Sequence, residues 1–179
     1  GHFNGYPLKL DPGNVRGGDF VWAGEPPDSL FAQLRGLGKH GAAGTIVQAN
    51  HPRDNVLGYF SQFNMVQETG VAEVKVGLRG VFAPYGDEFA PGAFSLDFDA
   101  LEVLNGKRKD IEHTYVVPDP LPVGSPIPSP APAPGEILRD QYGQIAFPGV
   151  IEDWHTLLNR GMRHTGVGAS DSHKGVTQE

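Results

Sequence analysis

The chain has no cysteine, only two methionines, little positive charge and no long apolar run. Without cysteine, disulfide frameworks, thiolate zinc sites and cysteine nucleophiles are excluded. The compartment stays open, secretion or a periplasmic location included, because a cysteine-free chain survives oxidising and reducing surroundings alike. Lys and Arg total 14 against 21 Asp and Glu, giving a formal charge of −7, and no basic stripe interleaves with aromatics. Sequence-independent nucleic-acid binding needs concentrated positive charge to displace counterions, which argues against nucleic acid as a partner. No stretch approaches the roughly 20 apolar residues that a membrane span needs. The GxSxG, Walker and HExxH motifs are also missing. No signal peptide is visible, and the chain opens on Gly1-His2 rather than methionine, so the native start is expected to lie upstream.

What is present reads as one α/β domain, or a large piece of one, with much loop: 179 residues include 25 Gly and 16 Pro. Leu30, Phe31, Leu34 and Leu37 make an apolar helical stripe, with Asp28 or Ser29 as the expected N-cap. Gly36 or Gly38 is expected to end that helix in a left-handed turn. Residues 44–49 then read as a buried strand that delivers His51 at its carboxyl end. Alternation over 71–79 predicts a half-exposed strand in an inserted hairpin. Ala100 to Leu104 predicts a second core strand, followed by a weak helix over 107–115. The alternating prolines from Pro126 to Pro134 predict an extended surface loop of polyproline character. Ile151, Trp154, Leu157, Leu158 and Met162 predict a helix ended by Gly161, and residues 163–169 a last strand. Helix–strand units with polar residues at strand ends fit a barrel or parallel sheet, whose active sites gather on that face.

The chemistry concentrates at these strand ends. Asp171 and His173 stand two apart, so an extended chain would aim both at one metal, although Ser-Asp-Ser also reads as an ordinary polar turn. His51 stands before Pro52, which disfavours helix and predicts an extended histidine at the strand exit. A lone histidine is more often a surface or satisfied core residue. His2 is either a ligand or the scar of an expression tag. Glu102, charged within a buried-looking strand, needs a partner; it ligates a metal, orients a ligand or bonds the following loop. Asn105 either contacts substrate or forms the Asn-Gly turn. Arg53 either binds an anionic leaving group or is solvated, and His40, His113, His155 and His164 read as surface residues.

The stretches GHFNGYPL at 1–8, NHPRDN at 50–55, LEVLNG at 101–106 and WHTLLNRGMRHTGVGASDSH at 154–173 resemble the polymerase and histidinol phosphatase (PHP) superfamily, nearest its carbaryl-hydrolase-like metallohydrolases. The resemblance implies a distorted (β/α)7 TIM-like barrel with two or three divalent transition metals (Zn, Mn or Fe) at the strand ends. It implies His2, His51, Asp171 and His173 as metal ligands, with Asp171 also orienting or deprotonating the nucleophilic water. Glu102 matches an acidic strand position. The implied reaction is hydrolysis of a small-molecule phosphoester, with an ester or carbamate as the alternative. The family's opening His-x-His, its next Asp-His segment and its bridging Glu would all precede residue 1. Residues 1–179 are therefore expected to be the carboxyl-terminal part of a single domain that lacks its first strands, with insertions at about 65–95 and 118–135. Its sheet edges would be exposed, and another chain is one source of the missing strands. A degenerate, non-catalytic PHP-like module is the competing reading. An amidohydrolase fits less well, since its late aspartate stands alone.

Overall fold

The computed structural model describes residues 1–13, 24–73, 93–120 and 132–171. Its centre is a mixed sheet of four strands in the order β1-β2-β5-β6. The strands are β1 (His2–Tyr6), β2 (Ile46–Asn50), β5 (Ala100–Asn105) and β6 (Thr165–Ala169). β2, β5 and β6 run parallel, whereas β1 runs antiparallel to β2. A separate ribbon pairs β3 (Met65–Val66) with β4 (Val71–Ala72). The helices are α1 (Pro27–Gly36), a short α2 (Tyr59–Gln62) and α3 (Val150–Asn159).

Strand periodicity sorts the sheet into two faces. Phe3, Val47, Ala49, Leu101 and Val103 belong to the core, together with Phe31 and Leu34 of α1, Tyr59 and Phe60 of α2, and Val150 and Leu157 of α3. Phe31, Val47, Phe60, Leu101 and Leu157 are fully buried. Each such side chain contributes about 1.5–3 kcal/mol relative to exposure. Rings cluster edge-on around Tyr59, whose hydroxyl donates to the Ser95 carbonyl (2.7 Å) and accepts from the Ser95 N–H (2.9 Å). The opposite face carries His2, Asn4 and Tyr6 of β1, paired in register with Asn50, Gln48 and Ile46. Tyr6 Oη donates to Gln48 Oε1 (2.9 Å), and Gln48 Nε2 donates to Asn50 Oδ1 (2.7 Å), a polar ladder rising toward one edge.

Several expectations change on contact with this structure. Among the described residues no closed barrel is found: the sheet is open, with β1 and β6 as its edges, and β1 makes it mixed. α1 starts at Pro27, one residue before the expected cap, because proline fits the first helical position, where its missing N–H costs nothing. It ends at Leu37 in right-handed backbone; the left-handed glycine of this region is Gly41 (φ 80°). Gly38 is small for another reason, since a Cβ there would lie 1.6 Å from Thr45 Oγ1. Gly161 (φ 84°) does end α3, with the Met162 N–H returning to the Leu157 carbonyl. The helix expected over 107–115 is a single 3-10 turn at Lys109–Ile111. Only the start of the strand expected over 71–79 is described, as β4; residues 74–92 lie outside the described residues. So do residues 121–131 of the proline-rich loop, but its two ends close against each other through a Val116–Ile137 bridge.

Candidate metal centre at the sheet edge

Parallel β2, β5 and β6 all end on one edge of the sheet, and antiparallel β1 begins there. His2 pairs with Asn50, and the register Ala49–Leu101 places Glu102 beside Asn50. His2, Asn50 and Glu102 thus form a row along this edge of the polar face. A register shift in β5 between Glu102 and Leu104 lies at the same place, and such bulges re-aim side chains.

Beyond Asn50 the chain turns sharply. His51 adopts φ 28°, a left-handed conformation, and not the extended one expected before proline. Proline disfavours the right-handed helical region for its neighbour, and here the left-handed alternative is held by hydrogen bonds. The His51 N–H donates to Glu102 Oε2 (2.5 Å), and its carbonyl accepts from the Asp54 N–H (2.9 Å). This turn brings His51 Nε2 to 2.9 Å from His2 Nδ1, with ring centroids 4.8 Å apart at 77°. Two nitrogens about 2.1 Å from one ion stand about 3.0 Å apart at a right angle and about 3.4 Å apart in a tetrahedron. The observed separation is that of a hydrogen bond in which the two imidazoles share one proton, and an ion held by both rings would take the place of that proton. Nδ1 of His51, across the ring from Nε2, is buried with no hydrogen-bond partner among the described residues.

Glu102 is buried, as its sequence context suggested, and serves the backbone: Oε2 holds the His51 N–H and Oε1 accepts from Asn105 Nδ2 (3.1 Å). Burial raises its pKa, and the neighbouring Asp171 charge raises it further, while the His51 N–H, the charge of His51 and the Asn105 amide act in the opposite sense. Asn105 forms the turn and positions Glu102: its Oδ1 accepts from the Lys107 and Arg108 N–H groups (2.9 and 3.0 Å). Both of its amide atoms are committed to protein, so the substrate contact considered for it has no basis here.

Asp171 follows β6 on the same edge with φ 51°, so the chain is not extended at this residue as the Asp-x-His argument assumed. Its charge acts to raise the pKa of both Glu102 and Arg108. The Gly106 N–H donates to the Ala169 carbonyl (2.8 Å), and a Cβ on Gly106 would lie 2.9 Å from the Ser170 oxygen, so the exits of β5 and β6 pack closely. His173 lies outside the described residues. Among the described residues no group of three His, Cys, Asp or Glu side chains is arranged to hold a metal ion. What the edge assembles is the His2–His51 pair, with Glu102 behind it and Asp171 nearby.

Arg53 departs from both expectations. It is buried (6 % exposed), neither solvated nor open to a leaving group. Its Nε and Nη2 grip Asp153 Oδ2 and Oδ1 (2.6 and 2.7 Å), and Nη2 also donates to the Met65 carbonyl (2.8 Å). The arginine thus fastens the His51 turn to α3 and β3. His164 is likewise no surface residue: its ring stacks on Phe98 (4.3 Å) and Nε2 lies 3.0 Å from the Leu96 carbonyl. His113 bonds Glu152 (3.0 Å), and His40 and His155 are exposed.

Sequence reasoning missed Asp54, Arg108 and Asp110. Arg108 Nη1 bonds Asp54 Oδ2, while Nε and Nη2 fork onto Asp110 (3.0 Å each). Asp54, three residues beyond His51, carried an Asx-turn signal; its partner across the edge did not. No family model, curated protein or solved structure matches the chain.

Proposed function

We propose that the chain carries part of the active site of a metal-dependent hydrolase of PHP type, acting on a small-molecule phosphoester. A carboxylic ester or a carbamate is the alternative substrate. The observation that carries this reading is the 2.9 Å approach of His2 Nδ1 and His51 Nε2, delivered by two strands to the edge where Glu102 and Asp171 also lie.

In this reading His2, His51, Asp171 and His173 hold two or three divalent ions (Zn, Mn or Fe). The bound ions supply the Lewis acidity that makes water a competent nucleophile at neutral pH and offsets charge on the leaving oxygen. His51 is oriented through its own backbone: Glu102 grips its N–H, and Asn105 holds Glu102 in turn. The Asp171 carboxylate accepts the proton of the attacking water. Among the described residues β1 and β6 are the sheet's edges, and strands from a further segment or another chain would add there. No helix among the described residues is long and apolar enough to cross a membrane.

The direct His2–His51 hydrogen bond, which already satisfies the two facing nitrogens, favours a second reading, a degenerate module that serves binding or structure without catalysis. Calorimetric titration of the chain with Zn2+ and Mn2+, paired with hydrolysis of nitrophenyl phosphate and nitrophenyl acetate, separates the two. The hydrolase reading expects saturable binding, weakened at least tenfold in His51→Ala, with any turnover dependent on the bound metal. Saturable metal binding that depends on His51 supports the hydrolase reading; no metal binding overturns it and selects the degenerate module.

A further inference from the structure

We propose that Arg108 is a positioning residue for this cation site, clamping the loop that carries His51 to the loop that follows Glu102. The inference rests on the metal-binding reading above and goes beyond it, since no sequence motif marked Arg108.

Three chain segments leave the sheet on this edge, after β2, β5 and β6. Asp54 organises the first. Its N–H donates to the His51 carbonyl (2.9 Å), its Oδ1 accepts from the Val56 and Leu57 N–H groups (2.9 and 2.8 Å), and its carbonyl accepts from Gly58 (3.0 Å). The remaining oxygen, Oδ2, bonds Arg108 Nη1. The second segment fixes Arg108 from its own side: Asn105 Oδ1 holds the Arg108 N–H, and Asp110 takes the other side of the guanidinium in a fork. The third segment supplies Asp171, whose charge reaches Arg108. One arginine therefore joins the turn that sets His51 to the turn that sets Glu102.

Charge distinguishes a clamp from an anion-binding arginine. The guanidinium is one positive charge held by two carboxylates, Asp54 and Asp110, so the trio is formally −1. Such a group does not attract a substrate anion; it sets geometry. Planar, forked bonding also makes lysine a poor substitute, because an ammonium keeps the charge but not the two-sided grip. Groups that orient metal ligands typically change affinity by about 10–100-fold when lost.

The test is Co2+ titration of the full 179-residue chain and its Arg108→Lys variant, followed by calorimetry and by the visible absorption of the bound ion. Thermal melting checks that the variant is folded. The clamp predicts Co2+ binding at least tenfold weaker in Arg108→Lys, with a changed visible band, although the formal charge is unaltered. Unchanged affinity and spectrum in the folded variant overturn the clamp while leaving the metal site standing. If Arg108→Lys does not fold, Asp110→Asn cuts only the exposed fork and is expected to weaken binding severalfold; wild-type affinity there overturns the clamp equally. Absence of Co2+ binding by the unmodified chain removes the metal site and the clamp with it.

Discussion

Replacing Arg53 by alanine should be the most damaging single change near the site, although Arg53 touches neither metal nor substrate in this account. Asp153 is wholly buried, and its two oxygens receive Arg53 at 2.6 and 2.7 Å. A further donor, Gln67 Nε2, is a neutral amide at 3.3 Å. Removing Arg53 therefore strands a carboxylate in the core, a change that typically costs about 3–5 kcal/mol. For a chain of this size each kcal/mol shifts the melting midpoint by about 2–4 °C, so a fall of about 6–20 °C is expected. Burial pushes the Asp153 carboxyl above its ordinary value of 3.8, and without Arg53 little opposes that shift. The stranded native state then binds a proton more readily than the unfolded chain, so Arg53→Ala should recover stability as pH falls from neutral toward the ordinary carboxylate range. Urea unfolding across pH, with the Arg53→Met/Asp153→Leu double variant alongside, measures this. The double variant should regain much of the loss, since apolar replacement of a buried pair is often neutral. A cost under about 1 kcal/mol for Arg53→Ala, or a double variant no better than the single, would refute the reasoning.

Glu102 gives a pH signature of its own. Burial raises its pKa above the ordinary 4.5, so the native state holds that proton more tightly than the unfolded chain. Its contribution to stability is present below 4.5 and is lost as pH rises through the native value. Wild type should show this decline in denaturant unfolding as pH is raised from 4.5, and Glu102→Gln should lack it; equal slopes would count against the burial argument. Tyr59→Phe removes a hydroxyl that satisfies both the N–H and the carbonyl of Ser95. It should cost about 1–3 kcal/mol in the same assay, and a neutral substitution would show that the Ser95 backbone finds other partners.

Apolar spacing made the core legible. The stripe of Phe31 and Leu34, the run ending at Ala49, the strand around Leu101 and the helix around Leu157 are all elements of the structure. The strand-end position of His51 followed from the same spacing. Partners distant in the chain were not legible. Arg53 and Asp153 stand one hundred residues apart, and only the packing of α3 against the His51 loop joins them. Arg108 and Asp54 are likewise 54 residues apart. Local rules also gave way to tertiary bonding. Pro52 suggested an extended His51, but the Glu102 carboxylate holds the His51 N–H in a left-handed turn. His164 looked like a flank residue because its shelter, Phe98 and Leu96, comes from the segment before β5. The antiparallel course of β1, which brings His2 to the edge where β2 ends, had no local signal at all.

The central claim is that His2 and His51 share one ion. Zinc-edge X-ray absorption of the Zn2+-loaded chain tests it most directly, because imidazole scattering counts histidine ligands at about 2.0–2.1 Å. At least two imidazoles are expected in the unmodified chain, with the loss of one in each of His2→Ala and His51→Ala. An imidazole count unchanged by either substitution would contradict it.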